Sequence, residues 1–151
     1  MRRLGPLEWG VFVLMLALAV VVFSQVALRY LTYQPLAWTE EVARYAFIWL
    51  SLLGAAVGGR RGAHFAVDLL PRRLPPRAGR MLRAGIRLTE AGFYGLLAWS
   101  GLQIVRVTHL QRSASIDLPM SIPYAAIPVA ALLLCLFSLR QAAGELRATL
   151  R

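Results

Sequence analysis

Two stretches of the sequence are long enough and apolar enough to cross a membrane. Twenty residues without a charge lie between Glu8 and Arg29, and twenty-two lie between Asp117 and Arg140. An α-helix rises 1.5 Å per residue, so about twenty residues cross a hydrocarbon core of ~30 Å. A chain of 151 residues that is 58% hydrophobic is also too apolar for a soluble domain of this size. The sequence therefore predicts an integral membrane protein.

Two shorter uncharged runs, 45–59 and 91–105, reach spanning length when flanking residues join them. We therefore expect an all-α fold that forms a single four-helix membrane domain over 1–151. The four transmembrane helices are expected at about 9–28, 36–59, 86–108 and 118–139, with a short cytoplasmic interfacial segment between helices 2 and 3. Pro35 suits the start of the second helix, and Pro128 predicts a kink inside the fourth.

The distribution of arginine predicts the orientation in the membrane. All seventeen basic residues are arginines: eight lie in 60–87, two in the N-terminal tail, three in the C-terminal tail and four in the other two connections. By the positive-inside rule, both termini and the 60–87 loop face the cytoplasm. The net charge of +10 is thus a topology signal, and we expect no nucleic-acid binding. Candidates for contact with anionic membrane lipids are Arg73, Arg77, Arg80, Arg83 and Arg87.

Charged and aromatic residues cluster at the start of the second helix. Helical spacing places Glu40 and Arg44 on one face, which continues into the small residues Gly54 and Gly58 and favours close helix packing. A second face is bulkier and contains Trp38, Glu41, Tyr45 and Trp49. We assign the Glu40–Arg44 face to packing within the chain and the aromatic face to a larger protein, and keep the reverse assignment as the alternative.

The motifs of known catalytic sites are missing from the sequence, which has no glycine-rich phosphate loop, no HExxH, and no Ser or Cys with an evident base. His64 and His109 are expected on opposite sides of the membrane, which argues against a bis-histidine haem. A single Cys135 excludes a disulfide within the chain. Glu90 lies near the interior of an apolar run, and Arg87, one turn away, is its expected partner. We therefore expect no enzymatic activity, no cofactor and no metal site.

Three functions are compatible with such a chain. The first is a non-enzymatic subunit of a larger transport complex, which explains packing faces without a catalytic cluster. The second is a stand-alone small four-helix proton-coupled transporter or exporter, for which Glu90 is the candidate carboxylate. The third is the membrane anchor of a redox enzyme, for which cofactor ligands are not found.

Residues 29–68 contain an ordered set that resembles one family, the small membrane subunit of tripartite ATP-independent periplasmic (TRAP) transporters. The set comprises Arg29-Tyr30, Pro35-Leu36, Trp38, Glu40-Glu41, Arg44, Trp49, Gly54-Ala55, Arg60, Gly62, His64 and Val67-Asp68. A weaker match follows at Ser121-x-Pro123 and Pro128. The candidates for subunit contact or a structural role are Arg29, Tyr30, Trp38, Glu40, Glu41, Arg44, Tyr45, Trp49, Gly54, Gly58, His64 and Asp68.

The resemblance implies a non-catalytic small subunit in the bacterial inner membrane. In such a system it would scaffold a large membrane subunit that contains the substrate and sodium sites. A periplasmic binding protein would deliver an organic acid, such as a carboxylate, for sodium-driven uptake. The resemblance thus favours the first of the three functions.

Overall fold

The computed structural model describes residues 5–32, 37–60 and 75–150. Within these ranges every regular element is a helix: α1 (Pro6–Thr32), α2 (Ala37–Arg60), α3 (Pro76–Thr108), α4 (Ser121–Tyr124) and α5 (Ala126–Leu150). An isolated β-bridge joins Arg112 to Pro119 in the connection before α4. The all-α fold is therefore confirmed for the described residues.

Three helical segments of the described chain are long and apolar enough to cross a membrane: Pro6–Leu31, Ala37–Arg60 and Ser121–Thr149. They correspond to the predicted spans at 9–28, 36–59 and 118–139. The predicted span at 86–108 lies in α3. This stretch does not reach the same hydropathy because Gln103, Arg106 and its three glycines interrupt the apolar residues. The fourth span therefore stays a prediction, and the predicted interfacial segment lies mostly outside the described residues.

The helix α1 extends beyond the uncharged stretch at both ends. It begins at Pro6, where proline fits because the first helical N–H has no intrahelical partner. Glu8 lies in its first turn and Arg29 in its last turn. Both charges are placed favourably for the helix dipole, which explains why the helix continues past them.

The chain between α4 and α5 corrects the predicted kink at Pro128. α4 ends at Tyr124 and α5 begins at Ala126, so Pro128 lies in the first turn of a helix and not in its interior. Proline costs little there because first-turn N–H groups lack intrahelical acceptors. The N–H of Ala125 donates to the carbonyl of Ser121 at 2.9 Å, so the helical hydrogen-bond pattern continues into the break between α4 and α5.

The chain divides into two compact units. The first comprises Met1–Gly54 and Gln103–Ala126, and the second comprises Ala55–Leu102 and Ile127–Arg151. The prediction of one four-helix domain over 1–151 stays a prediction. In the second unit, α3 and α5 pack through small side chains that are at most 4% exposed: Ala84, Ala91, Ala98, Ala130, Ala131 and Ala142.

Large apolar side chains lie mainly at the surface of the described chain. Phe23 is 75% exposed and Trp99 is 61% exposed, whereas no large side chain among the described residues is fully buried. Large apolar side chains on the outside are suited to contact with lipid or with partner helices. Small residues on the inside allow the helix backbones to approach closely, and dispersion then stabilises helix association in a membrane.

Candidate functional site

The N-terminal end of α2 carries an exposed ion pair in the first unit. Arg44 Nη2 lies 3.1 Å from Glu40 Oε1, and the two side chains are 65% and 67% exposed. The predicted pair is thus present, but an exposed pair of this kind contributes under ~1 kcal/mol to stability. Phe47, 60% exposed, and Ser51 continue the same face toward the middle of the helix. We call Glu40, Arg44, Phe47 and Ser51 the α2 stripe.

The neighbouring face of α2 packs against the connection that precedes α4. The Tyr45 hydroxyl donates to Glu41 Oε1 at 2.6 Å and lies 3.3 Å from Met120 Sδ. The backbone N–H of Ser115 donates to Glu41 Oε2 at 3.0 Å. Packing within the chain therefore uses the Glu41–Tyr45 face, and the assignment of the Glu40–Arg44 face to that role is wrong for the first unit.

The connection 109–120 is shaped by its own hydrogen bonds. Ser113 N–H donates to the Leu118 carbonyl at 2.9 Å, and Arg112 Nη1 donates to the Asp117 carbonyl at 3.0 Å. Asp117 has φ 52°, a left-handed conformation that aspartate tolerates better than most residues. The loop and α2 enclose a cavity of about 430 Å³. Both signs of charge line it, since Glu41, Arg44 and Arg112 contribute side chains.

Close backbone packing occurs at a different glycine from those predicted. No described atom lies within 4 Å of a Cβ placed on Gly54 or Gly58, so neither glycine makes a close intrachain contact in the described structure. A Cβ on Gly101 would lie 2.9 Å from Pro128 Cδ and 3.1 Å from the Pro128 backbone nitrogen. Gly101 therefore allows α3 and α5 to approach each other.

A polar cluster joins α3 to α5 in the second unit. Arg87 Nη1 lies 3.0 Å from Glu90 Oε2, and the two side chains are only 11% and 17% exposed. Ser138, on α5, donates to the same Glu90 oxygen at 3.4 Å. The predicted Arg87–Glu90 pair is confirmed, and Ser138 is a partner that sequence spacing did not reveal.

Three further contacts connect α5 to α3 and to the end of α2. Arg83 Nε lies 3.1 Å from Glu145 Oε1. Cys135 Sγ donates to the Ala91 carbonyl at 3.4 Å, and Gln141 Nε2 donates to the carbonyl of Gly59 at 3.0 Å. The sequence distance between these partners, 44 to 82 residues, leaves no local signal by which to predict them.

The other predicted site residues do not converge on one place. Arg29 is exposed, Tyr30 is 76% exposed, Trp38 is 48% exposed and Trp49 is half-buried. Three predicted residues lie outside the described residues: His64, Asp68 and Arg73. Within the described ranges, no group of three or more His, Cys, Asp or Glu side chains could hold a metal ion. The arrangement is suited to binding another protein or lipid, and its described polar groups do not form a catalytic cluster.

Comparison with known proteins identifies a family for this architecture. The family described as "Tripartite ATP-independent periplasmic transporters, DctQ component" matches residues 18–148. The chain is 34% identical over 115 residues to a C4-dicarboxylate TRAP transporter small permease protein of Rhodobacter capsulatus, a match that covers 74% of this chain and 50% of the relative.

Two further relatives carry different substrates in their names. One is a sialic acid TRAP transporter small permease protein of Vibrio cholerae, 30% identical over 105 residues, with 70% of this chain and 58% of the relative covered. The other is an isethionate TRAP transporter permease protein of Oleidesulfovibrio alaskensis, 29% identical over 141 residues, with 88% of this chain and 22% of the relative covered. This chain thus matches between 22% and 58% of the length of these three relatives.

Proposed function

Because the chain belongs to the DctQ component family of tripartite ATP-independent periplasmic transporters, we propose that it is the non-catalytic small subunit of a sodium-driven organic-acid uptake system. It is a transporter component and not an enzyme. In the proposed system it scaffolds a large membrane subunit that holds the substrate and sodium sites. A periplasmic binding protein delivers the substrate to that complex.

The names of the relatives support an organic anion as the transported substrate. They specify a C4-dicarboxylate, sialic acid and isethionate. These compounds differ in size and shape, whereas the matched sequences of all three relatives resemble this chain. The comparison therefore supports the class of substrate, and selection within the class is assigned to the other subunits.

The proposed contact with the large subunit is the α2 stripe. The observation that carries this assignment is exposure: the Glu40 and Arg44 side chains are 67% and 65% exposed although they stand at the end of an apolar helix. The adjacent Glu41–Tyr45 face is already used by the chain itself. A partner helix on the stripe would cover Phe47 and approach closely at Ser51, because small residues permit close backbone contact in a membrane.

The proposed topology has four spans in the bacterial inner membrane, with both termini and the 60–87 loop in the cytoplasm. The split of the arginines supports this orientation. α3 is proposed to span despite its lower hydropathy, since its Glu90 carboxylate is paired with Arg87 and Ser138. Pairing lowers the cost of a carboxylate in the bilayer. The paired Glu90 carboxylate then no longer prevents insertion of α3.

The stand-alone transporter is the less favoured alternative. A proton-coupled mechanism would require a carboxylate that exchanges protons with a cavity inside the membrane. Glu90 is the candidate, but it already accepts hydrogen bonds from Arg87 and Ser138. These contacts are the pattern of a structural ion pair between two helices.

Purification in mild detergent tests the proposed partner and the proposed face together. The tagged chain is expected to recover the large subunit in stoichiometric amount. Ser51→Trp should lower that recovery because it places a bulky ring on the stripe. Ser100→Trp, which adds the same ring to an exposed position of α3, is the matched control and should not. Equal recovery with both variants would refute the assigned face, and absence of any large subunit would refute the proposed function.

A further inference from the structure

The contacts between α3 and α5 in the second unit follow one register. Arg83 Nε lies 3.1 Å from Glu145 Oε1, and the Ser138 hydroxyl donates to Glu90 Oε2 at 3.4 Å. From the first contact to the second, the residue number rises by seven on α3 and falls by seven on α5. The two helices are therefore antiparallel along this seam. A repeat of seven residues is the spacing at which two helices keep the same faces together.

Two further contacts agree with this register. Cys135 Sγ donates to the Ala91 carbonyl at 3.4 Å, and a Cβ on Gly101 would lie 2.9 Å from Pro128 Cδ. Higher residue numbers on α3 again meet lower ones on α5. The register is thus the same along the seam from Arg83 to Gly101.

Small side chains fill the seam between these contacts. Ala84, Ala91 and Ala98 are buried and lie seven residues apart on α3, and Ala131 and Ser138 are buried and lie seven residues apart on α5. If α5 moved along α3 by seven residues, small side chains would meet small side chains again. Close backbone packing stabilises helix association in a membrane, and it is available in both registers. The small residues alone therefore do not determine the register.

Charge opposes a seven-residue shift in one direction. In the shifted pair, Glu145 would move from Arg83 to Glu90, so that two carboxylates would face each other. The Glu90 and Glu145 side chains are 17% and 30% exposed, so water screens their repulsion only in part. The same shift removes the cation from Glu145 and the hydroxyl of Ser138 from Glu90.

Side-chain size opposes a shift in the other direction. Pro128 would move from Gly101 to Tyr94, which lies seven residues earlier on α3. Even a Cβ at position 101 would lie too close to the proline ring, so a phenol ring in the same place would force the helices apart. The proline ring is therefore accommodated opposite Gly101 and not opposite Tyr94.

We propose that these contacts form a register lock between α3 and α5. The polar contacts of Glu90 and Glu145 prevent the shift in one direction, and the contact of Gly101 with Pro128 prevents it in the other. The polar groups then determine which packing forms more than how stable it is, a role that polar residues have on other helix seams. The lock is a property of this chain alone and does not depend on the proposed function.

Disulfide cross-linking of the isolated full-length chain in detergent measures the register on a Cys135→Ser background. Ala98→Cys with Ala131→Cys reports the native register, because each position lies one turn from the contact of α3 with Pro128. Ala98→Cys with Ser138→Cys reports the first shift. Position 138 is ~10 Å further along α5, and a disulfide requires Cα atoms within about 7 Å. The yield is the fraction of thiols that a maleimide labels only after reduction.

Removal of the charges should permit the first shift. The charge-free variant combines Arg83→Gln, Arg87→Gln, Glu90→Gln and Glu145→Gln, which leaves the net charge unchanged. In this variant the shifted cross-link should increase roughly tenfold over its yield in the otherwise unchanged chain, at the expense of the native one. Glu40→Gln with Arg44→Gln removes an exposed pair of the first unit and is the matched control. It should leave both yields unchanged.

The second shift has its own reporter. Ala91→Cys with Ala131→Cys should form a disulfide only if α5 moves in the other direction. The charge-free variant should not form it, because Tyr94 still obstructs Pro128. Addition of Tyr94→Ala should allow it to form. Formation without Tyr94→Ala would show that size does not oppose this shift, and would overturn that half of the lock.

Circular dichroism verifies that each variant is helical. A helical charge-free variant that shows only the native cross-link would overturn the proposed lock, and so would equal yields of the native and shifted cross-links before the charges are removed. If the charge-free variant is not helical, Arg83→Gln with Glu145→Gln decides the question. These side chains are 30% exposed, and their replacement leaves Arg87 paired with Glu90. A several-fold rise in the shifted cross-link would support the lock, and an unchanged yield would refute it.

Discussion

At the scale of single residues, two ion pairs described between neighbours on the same helix differ in exposure. Glu40 and Arg44 are about two-thirds exposed, whereas Arg87 and Glu90 are 11% and 17% exposed. Water screens the first pair, and the protein encloses the second. The same pair of residue types therefore has different consequences in the two places, and substitutions should report them differently.

Arg87→Ala should strongly destabilise the chain. It leaves Glu90 buried without its cation, and breaking a buried pair costs ~3–5 kcal/mol. Arg87→Gln combined with Glu90→Gln should recover much of the loss, because it removes the uncompensated charge. Denaturation of the purified chain in detergent measures the difference. Equal stability of the single and the double variant would show that this pair is not effectively buried.

Arg44→Ala should leave the stability of the isolated chain within ~1 kcal/mol of wild type, since the pair with Glu40 is exposed. Recovery of the large subunit should nevertheless fall, because the proposed partner contacts the α2 stripe. Arg147→Ala, at an exposed position of α5, is the control. If both variants recover the large subunit at the wild-type amount and matched expression, the charged end of α2 is only a solvated helix end.

Contacts between neighbours on one helix could be predicted from the sequence, and long-range contacts could not. The pairs Glu40–Arg44 and Arg87–Glu90 follow from helical spacing alone. The bond from Ser115 to Glu41 joins residues 74 positions apart, and no periodicity indicates it. The sequence therefore predicts the wrong packing face of α2 for the first unit, because the connection 109–120, which is distant in sequence, determines which face is covered.

At the scale of helices, the predicted spans agree with three described segments because length and apolar composition are local properties. The sequence predicts a kink at Pro128, and the structure differs for a physical reason. A proline disrupts a helix interior but is tolerated in a first turn, and the break between Tyr124 and Ala126 places Pro128 in the first turn of α5. The sequence also predicts close packing at Gly54 and Gly58, whereas the close contact in the described structure is at Gly101.

Gly101→Ala should destabilise the packing of α3 on α5. The added Cβ would lie 2.9 Å from Pro128 Cδ, a side chain that the proline ring holds in place. Overpacking of this kind costs ~1–3 kcal/mol. Gly95→Ala is the matched control on the same helix, because no described atom lies within 4 Å of its Cβ. The two variants are compared by thermal unfolding in detergent, and a similar midpoint for both would refute the close approach at Gly101.

The orientation of the helices is tested by cysteine labelling on a Cys135→Ser background. In intact cells, a membrane-impermeant maleimide should label Ser115→Cys from the periplasm, since the 109–116 connection is expected outside. Ala78→Cys, at the start of α3, should react only after permeabilisation because the arginine-rich loop is expected in the cytoplasm. Labelling of Ala78→Cys in intact cells would reverse the proposed topology.

At the scale of the whole molecule, the described residues combine a surface of large apolar side chains with ion pairs inside each unit, Glu40–Arg44 in the first and Arg83–Glu145 and Arg87–Glu90 in the second. This pattern is expected of a membrane subunit, and the family match identifies the chain as a component of TRAP transporters. Substrate choice and ion coupling are proposed to reside in the partners. The sequence predicted the family because the ordered residues of 29–68 are distinctive as a set.

Uptake by proteoliposomes tests the central proposal most directly. Vesicles should accumulate an organic acid under an inward sodium gradient only when this chain, the large subunit and the binding protein are all supplied. Omission of this chain should abolish uptake even when the large subunit is inserted in equal amount. Substrate-specific uptake by this chain alone, or full uptake by the other two components without it, would contradict the proposal.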